Sequence, residues 1–441
     1  MTRRLAIRNR LAFLAKRCAL ASVCVLGITT TACGDDWPQF RGPHRDGKSA
    51  ETQLWKGLEE KGPKLDWTAE GLGQGYASVA VVGGRIYTSG NTGQGQALVA
   101  LDAANGKVIW KQTVTGQDPK HGYEGSRTTP TIDGDHLYAV TSDGEILCLK
   151  TSDGSKVWSR PFSEWGGKMM SGWGFSESPL VDGDVVVCTP GGRKGVVVAL
   201  NKKTGETKWE CTLPDYGDEK GVNGAPLHDG AGYSSIVVSN GGGVKQYVQL
   251  VGRGVIGVRA ADGQLLWRNS YVANGTANIP SVIADGDYVF CSTGYETGSN
   301  LLKLVPAGQG RVNAEEVYAL KSRELQNKHG GMVLVDGYIY CGHGNGNGLP
   351  ICVKMSDGKN AWGPERAKGN GEASVAYADG HVIFRRDDGT VLVVAANPKK
   401  FELKASFMPA FQQGKSWAHP VVAGGKLYLR EQDKLMCYDI H

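Results

Sequence analysis

The chain has 441 residues, with 49 basic and 44 acidic side chains and a formal net charge of +5. Its 64 glycines and 16 tyrosines, with only 21% charged residues, are typical of many short strands joined by tight turns. This composition argues against a fold of long helices, and the length is compatible with one large all-β domain.

The first 32 residues have the pattern of a signal peptide. They contain six basic residues and no acidic residue, followed by an apolar run over residues 19–28 and by Thr30, Thr31 and Ala32. The run is too short for a permanent transmembrane helix, which needs about 18 or more apolar residues. We therefore expect residues 1–32 to be removed and the protein to be exported to the periplasm or cell envelope.

The positive charge of the whole chain comes from this segment. Without the six basic residues, 43 basic side chains remain against 44 acidic ones, a formal charge of −1. No cluster of Lys and Arg remains that would follow a phosphate backbone, so the sequence excludes nucleic acid as a partner. A monomer that binds an envelope protein or an extracellular ligand is expected.

Cys33 directly follows the predicted signal and is a candidate lipid anchor of the bacterial lipoprotein type. Thr30 stands where such signals normally carry Leu, so ordinary cleavage after Ala32 is the alternative. Membrane contact is expected only through this anchor. Seven further cysteines are scattered through apolar segments, and we expect buried free thiols, with Cys341 and Cys352 as the one pair to test for a disulfide.

Residues 33–62 form a predicted strap or linker before the repeats. The segment begins with Trp37-Pro38-Gln39-Phe40-Arg41-Gly42-Pro43, and little regular structure is expected between Asp36 and Gly62. We interpret it as an ordered strap over the domain that follows, at residues 63–441.

That domain consists of a repeated hairpin. In each copy an apolar strand runs into a Gly-Gly or Asp-Gly pair, which favours the positive φ angles of a two-residue turn, and a second apolar strand follows. Successive pairs are 43 to 56 residues apart, near the period of propeller blades. The eight pairs are Gly83-Gly84, Asp133-Gly134, Asp182-Gly183, Asp229-Gly230, Asp285-Gly286, Asp336-Gly337, Asp379-Gly380 and Gly424-Gly425.

A second signature closes most copies, in which a short turn leads into an outer strand that carries a tryptophan. These residues are Trp110, Trp158, Trp209, Trp267 and Trp362, and we expect each to pack at the seam with the next blade. Tyr318 and Phe407 stand near the expected tryptophan in the fifth and seventh copies.

The last copy lacks its outer strand. An orphan copy of that strand, Pro63-Lys64-Leu65-Asp66-Trp67, lies before the first repeat. We predict that it pairs with the last hairpin, near Tyr438, and so closes an eight-bladed β-propeller of four-stranded blades without leaving a sheet edge.

This pattern resembles the tryptophan-docking motif of the PQQ-type, or quinoprotein-like, β-propeller superfamily. The overall plan is also similar to that of the lipoprotein propeller subunit of the outer-membrane β-barrel assembly machine. The resemblance implies a fold more strongly than a function, because one scaffold carries many tasks.

The loops that lead into the innermost strands supply the candidate binding residues, because loops at one channel mouth are where propellers usually meet ligands. The residues vary from blade to blade, as an asymmetric site requires. They are Tyr76, Arg127, Glu177, Asn223, Asn278, His329, Glu372, Trp417 and His419, with Trp173 as a further aromatic candidate.

These residues favour a non-catalytic binding or scaffold protein, with neither a metal site nor a cofactor expected. The resemblance implies one alternative, a PQQ-dependent alcohol or sugar dehydrogenase with Ca²⁺. Such enzymes carry two adjacent cysteines, and no two cysteines are neighbours here. A second alternative is a carbohydrate-binding propeller that uses Tyr76, Trp173 and Trp417 as stacking platforms.

Overall fold

The computed structural model describes residues 36–58 and 61–441. The predicted signal peptide and Cys33 lie outside the described residues. Among those that are described, no helix is long and apolar enough to cross a membrane.

The domain is an all-β propeller of eight four-stranded antiparallel sheets, as predicted. A two-residue strand, β1 (Lys48–Ser49), and the closure strand β2 (Lys64–Ala69) precede the blades. Blade 1 contains β3 (Ala80–Val82), β4 (Arg85–Asn91), β5 (Gln96–Asp102) and β6 (Val108–Thr113). Blade 2 contains β7 (Thr131–Asp133), β8 (His136–Val140), β9 (Glu145–Lys150) and β10 (Lys156–Pro161). Blade 3 contains β11 (Leu180–Asp182), β12 (Val185–Cys188), β13 (Val197–Asn201) and β14 (Thr207–Cys211). Blade 4 contains β15 (Val237–Ser239), β16 (Gln246–Val251), β17 (Gly254–Arg259) and β18 (Leu265–Asn269).

The second half repeats the arrangement. Blade 5 contains β19 (Ile283–Asp285), β20 (Tyr288–Thr293), β21 (Gly298–Pro306) and β22 (Val312–Lys321). Blade 6 contains β23 (Met332–Val335), β24 (Tyr338–His343), β25 (Leu349–Lys354) and β26 (Asn360–Trp362). Blade 7 contains β27 (Ala373–Ala378), β28 (His381–Arg386), β29 (Val391–Ala395) and β30 (Leu403–Phe407). Blade 8 contains β31 (Val421–Ala423), β32 (Lys426–Glu431) and β33 (Lys434–Asp439), and β2 completes it. Short 3₁₀ turns lie at Phe162–Trp165 and Gly241–Gly243.

The predicted turn pairs join the first two strands in seven blades, with the turn shifted by one residue in blades 2, 3 and 5. The fourth prediction is wrong. Asp229-Gly230 lies in the long loop between β14 and β15, and residues 240–245 form the hairpin of blade 4. Asp229 instead binds the guanidinium groups of Arg193 and Arg253, at 2.7 and 2.8 Å, so its role is to anchor the loop.

Aromatic side chains dock across the seams between blades. The indole N–H groups of Trp110, Trp158, Trp209 and Trp362 each donate to a backbone carbonyl of the next blade, at 2.8–3.1 Å. In blade 5 the Tyr318 hydroxyl donates to the Met355 carbonyl at 2.6 Å, and in blade 7 Phe407 packs on Gly62. Both replacements therefore fill the position of the missing tryptophan.

Trp267 docks differently. It is buried in a core cluster with Leu304 and Val312 of blade 5, but its N–H donates to Gln246 of its own blade at 2.6 Å. In blade 5, β21 and β22 extend to nine and ten residues. In blade 5, β21 and β22 therefore extend through the position at which other blades have the short turn that contacts the indole.

The ring closes as predicted. Strand β2 pairs antiparallel with β33, with Leu65 opposite Tyr438 and Trp67 opposite Cys437. The Trp67 ring packs on Gly106 of blade 1, where a Cβ atom would lie 2.6 Å from the ring. This seam removes the exposed edge that the last blade would otherwise present.

The strap, residues 36–58, contacts the innermost strands of blades 1, 2, 6 and 7, and segments adjoining these strands in blades 3 and 8. Trp37 pairs with Val81 in blade 1, and the Ile132 amide of blade 2 donates to Pro38. Arg45 donates to the Ser178 and Pro179 carbonyls of blade 3, and Arg41 donates to the Met332 carbonyl of blade 6. Strand β1 pairs with β27 of blade 7. The Glu51 carboxylate accepts from the Gly424 and Gly425 amides of blade 8. Apart from β1 the strap has little regular structure.

The seven cysteines in the described part of the chain are buried and unpaired. Cys352 lies opposite Tyr340 and not opposite Cys341. The two thiols therefore belong to different core clusters on opposite faces of the blade 6 sheet.

Two glycine substitutions distinguish the free-energy cost of displacing Trp67 at the closure seam from the cost of backbone strain in an ordinary turn. Gly106 and Gly84 have φ angles of 71° and 76°, but only Gly106 has a side chain against it, since no atom lies within 4 Å of a Cβ at Gly84. Gly84→Ala should cost roughly 1–2 kcal/mol for the left-handed backbone. Gly106→Ala should cost about 1–3 kcal/mol more because Trp67 must move. Urea unfolding measures both, and equal costs would contradict the docking of Trp67 on blade 1.

Candidate functional site

A cavity of about 340 Å³ lies at the channel mouth opposite the hairpin turns. Residues from the loops before the innermost strands of all eight blades line it, and Phe40 and Arg41 of the strap form its floor. Its volume lies at the lower end of the ~300–1,000 Å³ that small-molecule sites occupy. The cavity is therefore the size of a small ligand or of the end of a chain.

The structure places seven of the ten sequence-derived candidates in the wall of this cavity. They are Tyr76, Arg127, Trp173, His329, Glu372, Trp417 and His419.

Glu177 and Asn278 point away from the cavity into the blades. The Glu177 carboxylate accepts from the amide and hydroxyl of Thr189, at 2.6 and 2.8 Å, and Asn278 donates to the Val251 carbonyl at 2.8 Å. Their chain neighbours Ser176, Ala277 and Ile279 line the cavity instead. Side chains alternate between the two sides of an extended chain. The prediction was one residue out of register at Glu177 and Asn278, so both side chains point to the side opposite to the one expected.

Asn223 is also misplaced as a channel-mouth residue. It lies exposed on the long loop between β14 and β15 and donates to the Tyr295 carbonyl at 3.1 Å. The error follows from the misassigned hairpin of blade 4. Counting back from the true hairpin leads to Tyr233, which lines the cavity.

Aromatic side chains dominate one wall, around what we call the Trp417 cluster: Trp417, Tyr76, Tyr123 and His329. The ring centroids of Tyr76, Tyr123 and His329 lie 4.7, 4.9 and 5.1 Å from that of Trp417. The indole N–H donates to Asp387 at 2.8 Å, which fixes the orientation of the ring. Trp173 and Tyr233 form a second aromatic pair at 5.8 Å.

Charged groups lie between the aromatic rings. Arg127 lies 5.4 Å from the Tyr76 ring and donates to the carbonyls of Trp173 and Gly122, at 2.8 Å each. Lys328 lies 3.8 Å from the Glu372 carboxylate. Burial nevertheless raises the pKa of Glu372 to about 7, because the ammonium group only partly replaces lost hydration.

Two histidines complete the inner part of the cavity. Burial lowers the pKa of His329 to about 4, and burial with the nearby Arg41 guanidinium holds the pKa of His419 well below its usual range. Both imidazoles are therefore neutral at physiological pH. The Phe40 ring meets His419 edge-on at 5.0 Å.

Several cavity residues escaped the sequence reasoning, among them Phe40, Arg41, Tyr123, Tyr295, Lys328 and Asp387. Asp387 and Tyr295 lie on loops between the second and third strands, whereas the predicted candidates come from the loops before the innermost strands. Lys328 directly precedes a candidate, and that adjacency was the available signal. Nothing in the sequence indicates that Phe40 and Arg41 reach the cavity floor, because this depends on the path of the strap.

Comparison with known proteins identifies the family of this chain. A family model described as outer membrane protein assembly factor BamB matches residues 48–161 and 118–364. The two matches together span more than two thirds of the chain. The chain belongs to this family of PQQ-type propellers.

Curated relatives of this BamB-family propeller are of two kinds. The outer membrane protein assembly factor BamB of Alteromonas naphthalenivorans is 30% identical over 115 residues, which are 24% of this chain and 27% of that protein. The quinohemoprotein alcohol dehydrogenase ADH IIB of Pseudomonas putida is 28% identical over 144 residues, 30% of this chain and 19% of that enzyme. The matches thus span less than a third of either relative.

Solved structures with a similar fold include both BamB proteins and quinohemoprotein alcohol dehydrogenases. BamB from Moraxella catarrhalis superposes with a TM-score of 0.57 at 12% identity, covering 86% of this chain and 97% of that one. The quinohemoprotein alcohol dehydrogenase from Comamonas testosteroni gives 0.61 at 13% identity, covering 91% and 80%. At such identities the likeness establishes the fold alone.

The residues of the cavity do not fit a calcium-bound PQQ group. Calcium takes six to eight oxygen ligands, whereas the two carboxylates of the cavity wall, Glu372 and Asp387, already face Lys328, Lys415 and the Trp417 N–H. Within residues 36–58 and 61–441 no group of three or more His, Cys, Asp or Glu is placed to hold a metal. None of the described cysteines lines the cavity.

The raised pKa of Glu372 predicts a pH effect on stability. Its folded value of about 7 lies above the ordinary 4.5, so the folded chain binds the extra proton between these values and the free energy of unfolding falls as pH rises through them. Glu372→Gln should remove a fall on the order of 1–3 kcal/mol between pH 4.5 and 7.5. Glu177, with a pKa also near 7, is present in both proteins and cancels in the difference.

Unfolding midpoints of the wild type and of Glu372→Gln across this pH range supply the measurement. Curves that stay parallel throughout would contradict the raised pKa of Glu372.

Proposed function

We propose that the protein is an exported, non-catalytic binding protein of the cell envelope that recognises a ligand or a partner segment in the cavity at its channel mouth. The observation that carries the proposal is the cavity itself. Eight blades of the same four-stranded plan surround a cavity whose aromatic and charged lining residues differ from blade to blade, as a selective site requires.

The similarity to BamB, an outer membrane protein assembly factor, supports an envelope location and a protein partner. Attachment through a lipid on Cys33 belongs to the same proposal. The dehydrogenase relatives support an enzymatic alternative, but the donor groups of the cavity do not match that chemistry.

A carbohydrate-binding propeller is the second candidate. It is favoured by one observation, namely that the proposed stacking platforms Tyr76, Trp173 and Trp417 all line the same cavity. Both candidates use the cavity, so removing Trp417 tests them together.

Trp417→Ala should weaken binding at least tenfold, because a central aromatic side chain at a concave site contributes about 1.4 kcal/mol or more. Capture of proteins from solubilised envelopes and binding to a glycan array are the two measurements. Tyr288→Ala is the matched control, since Tyr288 is an exposed aromatic residue beside the hairpin turn of blade 5. Binding that survives Trp417→Ala in a folded protein would place the function elsewhere.

Titration with PQQ and Ca²⁺ tests the enzymatic alternative. We expect no saturable binding at micromolar PQQ and no dye-linked oxidation of alcohols or sugars. Micromolar affinity accompanied by alcohol oxidation would overturn the non-catalytic proposal.

A further inference from the structure

Four buried polar atoms without a hydrogen-bond partner belong to residues that line the cavity. They are Arg41 Nη1, His329 Nδ1, His419 Nδ1 and Glu372 Oε2. Such atoms are few in folded proteins because each one costs about 1–3 kcal/mol of lost hydration. Ten further such atoms lie elsewhere in the described residues, and these four differ from them in that their side chains line a cavity that can hold a ligand.

The charges of the wall indicate the sign of that group. Four cationic side chains line the cavity against two carboxylates. Lys328 faces Glu372 at 3.8 Å and Lys415 faces Asp387 at 3.2 Å. The remaining two cations, Arg41 and Arg127, have no carboxylate within 4 Å among the described residues, and their hydrogen bonds go only to backbone carbonyls. Weakly screened cations of this kind attract an anion.

Arg41 is held in place for such a contact. One terminal nitrogen, Nη2, donates to the carbonyls of Asp46, at 2.9 Å, and of Met332. The other, Nη1, lies beside Gly331, where a Cβ atom would be 2.5 Å from it and 3.3 Å from Cε1 of His419. Nη1 and the edge of the His419 ring therefore meet at the same glycine, with no side chain between them. A guanidinium with one free nitrogen in a fixed position suits a carboxylate oxygen.

The walls above this point suit a hydroxylated ring better than a flat aromatic acid. Trp417 and Tyr123 offer apolar ring faces for stacking, and Tyr123 is 56% exposed. Elsewhere the cavity is lined by the polar groups of Ser176, Ser281 and Lys415, which can bind hydroxyl groups. The strap already pairs with the innermost strands in blades 1 and 7, so an extended peptide has fewer free backbone groups to bind.

We propose that the floor of the cavity is a carboxylate-binding site formed by Arg41 and His419, and that its ligand is an acidic sugar, a uronate at the end of a glycan chain. The uronate carboxylate accepts from Arg41 Nη1 while its ring stacks in the Trp417 cluster. This inference rests on the proposed function, because it names the ligand of the same cavity.

Calorimetric titration of the full-length exported protein with trigalacturonate, and with its neutral counterpart galactotriose, tests the proposal. Trigalacturonate should bind at least tenfold more tightly. Arg41→Gln should remove most of that preference and leave galactotriose binding within about twofold. Arg45→Gln is the matched control, because Arg45 is equally buried in the same strap and bonded to backbone carbonyls, but does not line the cavity.

A second measurement needs no variant. The ¹⁵N resonances of His419 and His329 should shift with trigalacturonate, since their Nδ1 atoms have no partner without a ligand. Equal binding of both trisaccharides, an unchanged preference in folded Arg41→Gln, or binding of a peptide carboxyl terminus in preference to uronate would overturn the inference. If one of these outcomes occurs but Trp417→Ala still abolishes binding of a probe, the uronate inference fails and the proposed function stands. If no probe or envelope protein binds in a Trp417-dependent way, both proposals fail.

Discussion

The packing of one aromatic side chain against the next blade is the interaction on which this structure depends. The indole or phenol crosses a seam, meets a short turn and often donates to its carbonyl, and the turn carries a glycine because no Cβ would fit. At Gly263, for example, a Cβ would lie 2.4 Å from the Trp209 ring. Aromatic rings bury large apolar areas, so each contact fixes the angle between two sheets. Trp67 makes the same contact from the start of the domain and converts a row of blades into a ring.

In the closed ring, the residues that stabilise the fold differ from those that line the cavity. The seams use the outer strands and their turns, whereas the cavity uses the loops before the innermost strands, so the two sets of residues vary independently. The strap links them. It is hydrogen-bonded to six blades and places Arg41 at the cavity floor. The positive φ angles at Arg41 and Arg45 (63° and 56°) are ones that only a well-anchored segment maintains. Floor and walls are therefore both positioned by contacts remote from the ligand.

Much of the fold follows from the sequence because propeller repeats are local and periodic. Turn pairs and tryptophans predicted eight blades, the replacements at Tyr318 and Phe407, and the closure by Trp67. The local sequence was misleading at Asp229-Gly230, where a loop has the sequence of a hairpin turn. Because of that error, Asn223 was predicted as a cavity residue in place of Tyr233. The local sequence was also misleading where one residue of register decides orientation, as at Glu177. The cavity floor could not be predicted, since Phe40 and Arg41 reach it only through the folded path of the strap.

Hydrogen exchange of the intact protein tests most directly whether ring closure holds the cavity in place. The amides of β2 and β33 that hydrogen-bond to the opposite strand should exchange together and only through global unfolding, because each strand is the partner of the other. The loop residues 415–419 should gain protection from the same closure. Rapid exchange of β2 while β33 remains protected would show that the chain's first outer strand does not seal the ring, and would contradict the account.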